Sequence, residues 1–199
     1  MIKYNATYIN LARRTDRNER LLNDWAGVVN LTRFPAVEAE KGGHGNYASH
    51  RMLIESMPAD RLTIIMEDDI VPCEDFESRL DLFLGELPED WDMFMLGFFA
   101  NERSRFTQVT EHLHRVEDAI CASHCYIVNP KSRDKILAEM ARKENDKNID
   151  VMLLSLQKHA NVYIPIPCFC YQYQSYSDNG NDNYDIVHKG TIKYFKDKL

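Results

Sequence analysis

The chain has 199 residues, 44% of them hydrophobic and 28% charged, with a formal net charge of −7. This length fits one domain of ~150 residues plus some additional chain, and no apolar run reaches the ~18 residues that a membrane span needs. The acidic balance excludes a general nucleic-acid binder, which needs a basic face for phosphates, but a few local cations would still serve a phosphorylated small molecule.

The opening Met1-Ile2-Lys3-Tyr4-Asn5 lacks the cationic and apolar stretches of a secretory signal. Cys73, Cys121, Cys125, Cys168 and Cys170 are odd in number, which argues for reduced thiols and a cytoplasmic location. Lys196-Asp197-Lys198-Leu199 is close to an ER-retrieval tetrapeptide, but without a signal such a sequence has no route to that compartment.

In chain order, residues 4–11 are rich in β-branched and aromatic side chains and read as a first strand. Thr15 or Asp16 can cap a helix through Leu21, Leu22 and Trp25. Residues 31–37 read as a strand broken by Pro35. Gly42-Gly43-His44-Gly45 reads as a flexible turn before a helix over 46–57. Residues 61–66 form a buried-type strand ending in Glu67-Asp68-Asp69. A helix over 76–84 and a strand over 91–99 follow, and 100–118 is too polar to assign. A strand over 119–128, helices over 131–142 and 149–159, and a strand over 161–166 complete the pattern, with the remainder read as a polar tail. Strands alternating with helices predict an α/β domain with a mainly parallel sheet.

Glu67-Asp68-Asp69 is the strongest chemical signal. Three adjacent carboxylates at the end of an apolar strand repel one another unless they are solvated or share a cation. Strand alternation would put Glu67 and Asp69 on one side and Asp68 on the other, a pair suited to a hard divalent ion. A solvated acidic turn before Pro72 is the alternative. Arg13, Arg14 and Arg17 leave the first strand where a helix begins, which suits a diphosphate, although Asp16 and Glu19 could simply balance them. Ser49 and His50 are adjacent on a helix and diverge by about 100°, so a nucleophile–base pair is disfavoured. Cys121, His124 and Cys125, with His112 and His114, do not match paired zinc hooks and read as core. Asp150 stands where a helix begins, either as its cap or as a general base. Gln174 to Asn179 reads as a polar loop. Lys189, Lys193, Lys196 and Lys198, interleaved with Ile192, Tyr194, Phe195 and Leu199, could give the tail weak peripheral contact with an anionic membrane.

Taken in order, these segments resemble glycosyltransferase family 25, the group of lipo-oligosaccharide and procollagen galactosyltransferases. The resemblance is carried by Tyr8-Ile9-Asn10-Leu11-Ala12-Arg13-Arg14-Thr15-Asp16-Arg17, Arg33-Phe34-Pro35-Ala36-Val37-Glu38 and Gly45-Asn46-Tyr47-Ala48-Ser49-His50, with Asn46 in place of a cysteine. It continues through Ile64-Ile65-Met66-Glu67-Asp68-Asp69, Trp91 to Gly97, Cys125-Tyr126-Ile127-Val128 and Ile149-Asp150-Val151, and closes on Gln174-x-x-Ser177-Asp178. The resemblance implies a single GT-A domain over 1–199, with a nucleotide-sugar and metal half over 1–97 and an acceptor-side half and tail over 98–199. It implies sugar transfer with inversion, from UDP-galactose to a glycan or glycoconjugate acceptor. Asn10, Leu11, Arg14, Arg17, Glu38, Ser49 and Asp68 would bind the donor, and Gln174, Ser177 and Asp178 would close over it. Glu67 and Asp69 would hold Mn²⁺ or Mg²⁺, and Asp150 would be the base. The alternatives are a non-catalytic nucleotide-sugar or glycan-binding module, and a metal-dependent phosphatase or nucleotidyltransferase.

Overall fold

The computed structural model describes residues 2–142 and 148–173. Among them a central sheet of eight strands has the order β2-β1-β3-β8-β5-β9-β7-β6. The strands are β1 (Asn5–Asn10), β2 (Asn30–Pro35), β3 (Ile64–Glu67), β5 (Met93–Phe99), β6 (Arg105–Gln108), β7 (Leu113–Asp118), β8 (Cys121–Val128) and β9 (Val162–Pro165). A two-stranded ribbon joins β4 (Ile70–Pro72) to β10 (Cys170–Gln172). The helices are α1 (Thr15–Asp24), α2 (Gly42–Ser56), α3 (Phe76–Glu86), α4 (Arg133–Met140) and α5 (Ile149–Leu156).

β1 pairs in parallel with β2 and β3, and β5 with β9, while β8 and β7 pair antiparallel to all their neighbours. Six of the eight strands therefore share one direction, and β8 and β7 oppose it. Period-two alternation divides the strand residues between two cores. Ile65, Met93, Met95, Tyr126 and Val128 face Leu53 and Ile54 of α2, Ile136 of α4 and Met152 of α5. Ile64, Met66, Phe94, Leu96 and Ile127 face Leu21 of α1, Trp25 just beyond it, and Phe76, Leu80 and Phe83 of α3. The result is a three-layer α/β domain. Among the described residues no helix is long and apolar enough to cross a membrane.

Several sequence expectations need correction. Gly42, Gly43, His44 and Gly45 are the first turn of α2, not a flexible turn before it. A Cβ on Gly45 would collide with the Val37 carbonyl oxygen, so the glycine lets the helix start close to the segment after β2. The unassigned stretch 100–118 contains the β6–β7 hairpin, whose outer strand β6 is mostly solvent-facing and so carries no apolar signature. The stretch after residue 166 reads as a polar tail, but it begins with buried Cys168, Phe169 and Cys170, the two cysteines in the core as lone cysteines usually are, and β10 pairs with β4. The C-terminal lysines lie outside the described residues.

Asp92 fastens three elements where β5 begins. Its buried carboxylate accepts from Lys135 Nζ at 2.6 Å and from Asn161 N at 2.7 Å. Burial pushes its carboxyl up, but hydrogen bonds from Lys135, Ser132 and Asn161 outweigh this and leave it below the ordinary range. A depressed carboxyl stabilises the fold above its unfolded value near pH ~4, and that contribution is lost as pH falls below it. Asp92→Ala is therefore expected to cost about 2–3 kcal/mol at pH 7. In urea unfolding, the gap from the unsubstituted protein should narrow at pH 3.

Candidate active site

The parallel strands β1, β2 and β3 end side by side, with Asn10 opposite Pro35 and Ile9 opposite Glu67. Ligands commonly bind beyond the carboxyl ends of such strands. A cavity of about 340 Å³ opens there, and its lining includes Leu11, Arg13, Arg17, Glu38, Ser49 and the Glu67-Asp68-Asp69 run.

β3 stops at Glu67, and Asp68 and Asp69 turn the chain into β4. The strict alternation expected for a strand therefore ends at Glu67. Arg17 NH1 lies 2.9 Å from Asp68 Oδ1 and 3.1 Å from Asp69 Oδ2, joining the two aspartates. Gln172 on β10 joins Glu67 to Asp69, its Nε2 lying 3.3 Å from Glu67 Oε2 and 3.1 Å from Asp69 Oδ1. The other Glu67 oxygen, Oε1, accepts from Ser123 Oγ at 2.8 Å and Asn46 Nδ2 at 3.3 Å, with His50 Nε2 at 3.4 Å.

These surroundings separate the two carboxyls. Burial opposes ionisation of Glu67, but His50, His124 and Ser123 together hold it down at about 2. Burial and then the charge of Glu67 push Asp69 up to about 7, against the pull of Arg17. Burial also raises Asp68, although Arg17 and Asn10 favour its charged form.

The other candidate residues take different places. Asn10 is 2% exposed and does not line the cavity. Its Nδ2 donates to Asp68 Oδ2 at 2.7 Å, and its Oδ1 accepts from Arg33 at 2.8 Å, so it holds Asp68 from behind. Arg14 is turned onto Asp16 at 2.9–3.0 Å, away from the lining, whereas Arg13 lines the cavity and pairs with Glu38 at 2.8 Å. Ser49 lines the cavity, but its hydroxyl accepts from Val37 N at 2.8 Å and donates to Gly45 O at 2.7 Å. His50 points instead to Tyr126 Oη, 2.8 Å from its Nδ1, so the neighbouring serine and histidine diverge as the helical spacing requires. Gln174, Ser177 and Asp178 lie outside the described residues.

Asn148 caps α5, its Oδ1 accepting from Asp150 N at 2.9 Å and Val151 N at 3.3 Å. The Asp150 carboxylate is thus released from capping, and it accepts from Ala122 N at 3.1 Å. Ala122 has φ of +79°, a left-handed conformation that costs a non-glycine residue energy and recurs at functional sites. Asp150 is solvent-exposed, yet enough protein surrounds it that burial, and then the charge of Glu67, raise its carboxyl. Both effects make it more basic than an ordinary aspartate.

Sequence reasoning missed Ser123 and Gln172 as members of this cluster, and it named Arg13 among the phosphate-binding arginines without setting it above Arg14. Arg13 stood in the opening motif, but nothing local separates it from Arg14. Ser123 and Gln172 reach Glu67 only through sheet pairing.

Neither a protein-family model nor a curated protein sequence matches the chain. Among solved structures, it is similar to a glycosyltransferase involved in the glycosylation of the major capsid of PBCV-1. The TM-score is 0.55 at 7% identity, covering 96% of this chain and 98% of that one. It is also similar to mannose-1-phosphate geranyltransferase from Thermus thermophilus, with a TM-score of 0.50 at 10% identity, covering 85% and 75%. The fold is GT-A-like. In this GT-A-like domain the acidic turn, the arginines of the β1–α1 connection and the cavity share one end of the sheet.

The donor set suits a hard divalent ion. Glu67 and Asp69 both reach one atom of Gln172, so their carboxylates converge on a common point. Among the described residues no group of three His, Cys, Asp or Glu side chains is arranged to hold a metal. Other oxygen donors would have to complete the shell.

Should the cavity bind UDP, as the family resemblance implies, Arg17→Ala is expected to remove a charged partner and weaken that binding by about 1.5–3 kcal/mol. Because Arg17 also neutralises two buried aspartates, the same change should cost about 3–5 kcal/mol of stability. Calorimetric titration of UDP and denaturant unfolding check the two parts. Unchanged UDP affinity would leave Arg17 as a structural counter-ion only.

Proposed function

We propose that the chain is a metal-dependent inverting glycosyltransferase. It moves a sugar, galactose on the resemblance to family 25, from a UDP-sugar to a hydroxyl of a glycan, lipo-oligosaccharide or glycosylated protein. The observation that carries this reading is the convergence of Arg13, Arg17, Glu67 and Asp69 on one cavity at the ends of β1–β3. The GT-A-like fold, shared with a capsid glycosyltransferase, supports it.

In this reading Arg13 and Arg17 bind the donor's phosphates, with the first turn of α1 adding backbone N–H groups. Glu38 and Leu11 line the same cavity and bound the nucleoside. Glu67 and Asp69 hold Mn²⁺ or Mg²⁺, which would supply positive charge to the departing diphosphate. Asn10 and Arg17 fix Asp68, which faces ribose or sugar. Inversion is a single in-line displacement, so one group must take the acceptor's proton on the face opposite the leaving group. Asp150 has that role: α5 fixes its direction and its carboxyl is raised.

A thermal-shift screen of nucleotide sugars with and without Mn²⁺ tests the reading. UDP-galactose should stabilise the protein more with Mn²⁺ than without. A protein shifted by no nucleotide sugar would contradict it.

A further inference from the structure

Gln172 lies outside every motif that carries the resemblance, yet it is the residue joining Glu67 to Asp69. It is 6% exposed, and its backbone register is fixed opposite Ile70 in the β4–β10 ribbon. The next residue continues that pairing, with Tyr173 N donating to Asp69 O at 3.0 Å. Gln172 Nε2 therefore sits within 3.3 Å of one oxygen from each carboxylate. The far end of the amide is different. Its Oε1 is buried and has no hydrogen-bond partner among the described residues.

A carboxamide has a donor end and an acceptor end of nearly the same shape, exchanged by rotation about its last bond. Bonds at both ends normally lock one orientation. Here only the near end is bonded, so rotation gives up only the two Nε2 contacts. Two facing carboxylates select the donor end, because an N–H lowers their mutual repulsion. A cation between them would replace that service and select the acceptor end, since hard divalent ions take carboxylate and amide oxygens alike.

We propose that Gln172 is a third oxygen donor of a divalent-cation site formed with Glu67 and Asp69. The proposal rests on the metal part of the functional reading above and gives the site a ligand from the opposite side of the turn. The ribbon would then hold Asp69 and Gln172 at a fixed spacing before the ion arrives, and only the last bond of the Gln172 amide would have to turn.

The test is calorimetric titration of the full chain with MnCl₂ alone, without nucleotide, comparing the unsubstituted protein with Gln172→Leu and Gln172→Glu. Circular dichroism reports whether each variant is folded. Gln172→Leu should weaken Mn²⁺ binding by about tenfold or more. Gln172→Glu should bind Mn²⁺ more tightly than the unsubstituted protein, because it places a charged oxygen at the ligand position. A residue that only donates hydrogen bonds to the carboxylates would behave otherwise, since glutamate there brings repulsion and no gain in affinity. If Gln172→Leu fails to fold, Gln172→Glu decides alone. Equal Mn²⁺ affinity in all three proteins, or weaker binding by Gln172→Glu, overturns the role of Gln172 and leaves the metal reading standing. No Mn²⁺ binding by the unsubstituted protein overturns both.

Discussion

Asp150→Asn is expected to keep nucleotide-sugar and Mn²⁺ binding and to lose about 10²–10⁴-fold in turnover, the usual contribution of a positioned base. The substitution preserves shape and leaves the α5 cap intact, because Asn148 supplies that cap. An amide oxygen can still accept from Ala122 N, so the local backbone should not move. What disappears is the capacity to take a proton. The raised carboxyl of Asp150 has two causes, burial and the negative charge of Glu67, and neither acts on an amide. Initial rates and donor affinity must be measured together. Lost affinity alongside lost rate would make Asp150 a donor ligand. A near-normal rate would pass the base to Asp178 or another group.

Asp69→Asn should abolish Mn²⁺-dependent strengthening of donor binding while the protein stays folded. Removing the charge leaves one carboxylate where two converged, and a divalent cation is held less strongly by a neutral amide oxygen than by a charged carboxylate. It also removes a liability of the metal-free protein. Burial and Glu67 raise Asp69 to about 7, against an unfolded value near ~4. Between these values the unfolded chain is ionised and the folded one still holds its proton, so stability falls as pH rises through that window. The variant escapes this loss. In metal-free buffer its stability relative to the unsubstituted protein should therefore rise from pH 4 to 7 and level off above. Denaturant unfolding at several pH values reads this out. A variant that loses ground steadily across that window would show that Asp69 is stabilised, not strained, by its surroundings.

The sheet strands β1, β3, β5 and β8 were legible because the chain writes them as apolar runs between turns. Leu21 and Trp25, and Phe76, Leu80 and Phe83, recur at helical spacing and are all buried in one core. The β6–β7 hairpin was not legible, because a strand with water on one side and no neighbour at its edge needs few apolar residues. The start of α2 was misread for a related reason. Glycines suggest a turn, but Gly45 serves a close approach between helix and strand that no local pattern records.

The site divides along the same line. Glu67-Asp68-Asp69 stands out in the sequence because three carboxylates at a strand end are costly without a partner. Arg17 could be placed at the start of α1 from its spacing, but not its bridge to both aspartates. Gln172 was invisible, since it lies over a hundred residues from Glu67 and the β4–β10 register alone brings them together. Arg13 and Arg14 differ only in direction, which backbone geometry decides.

In the proposed function this cavity activates a nucleotide sugar by releasing its nucleoside diphosphate. The most direct measurement is slow hydrolysis of UDP-galactose by the full chain with Mn²⁺, followed by separation of the products. UDP and free galactose should form with Mn²⁺, and EDTA should suppress them. Release of UMP, inorganic phosphate or pyrophosphate, or product formation undiminished in excess EDTA, would contradict that function.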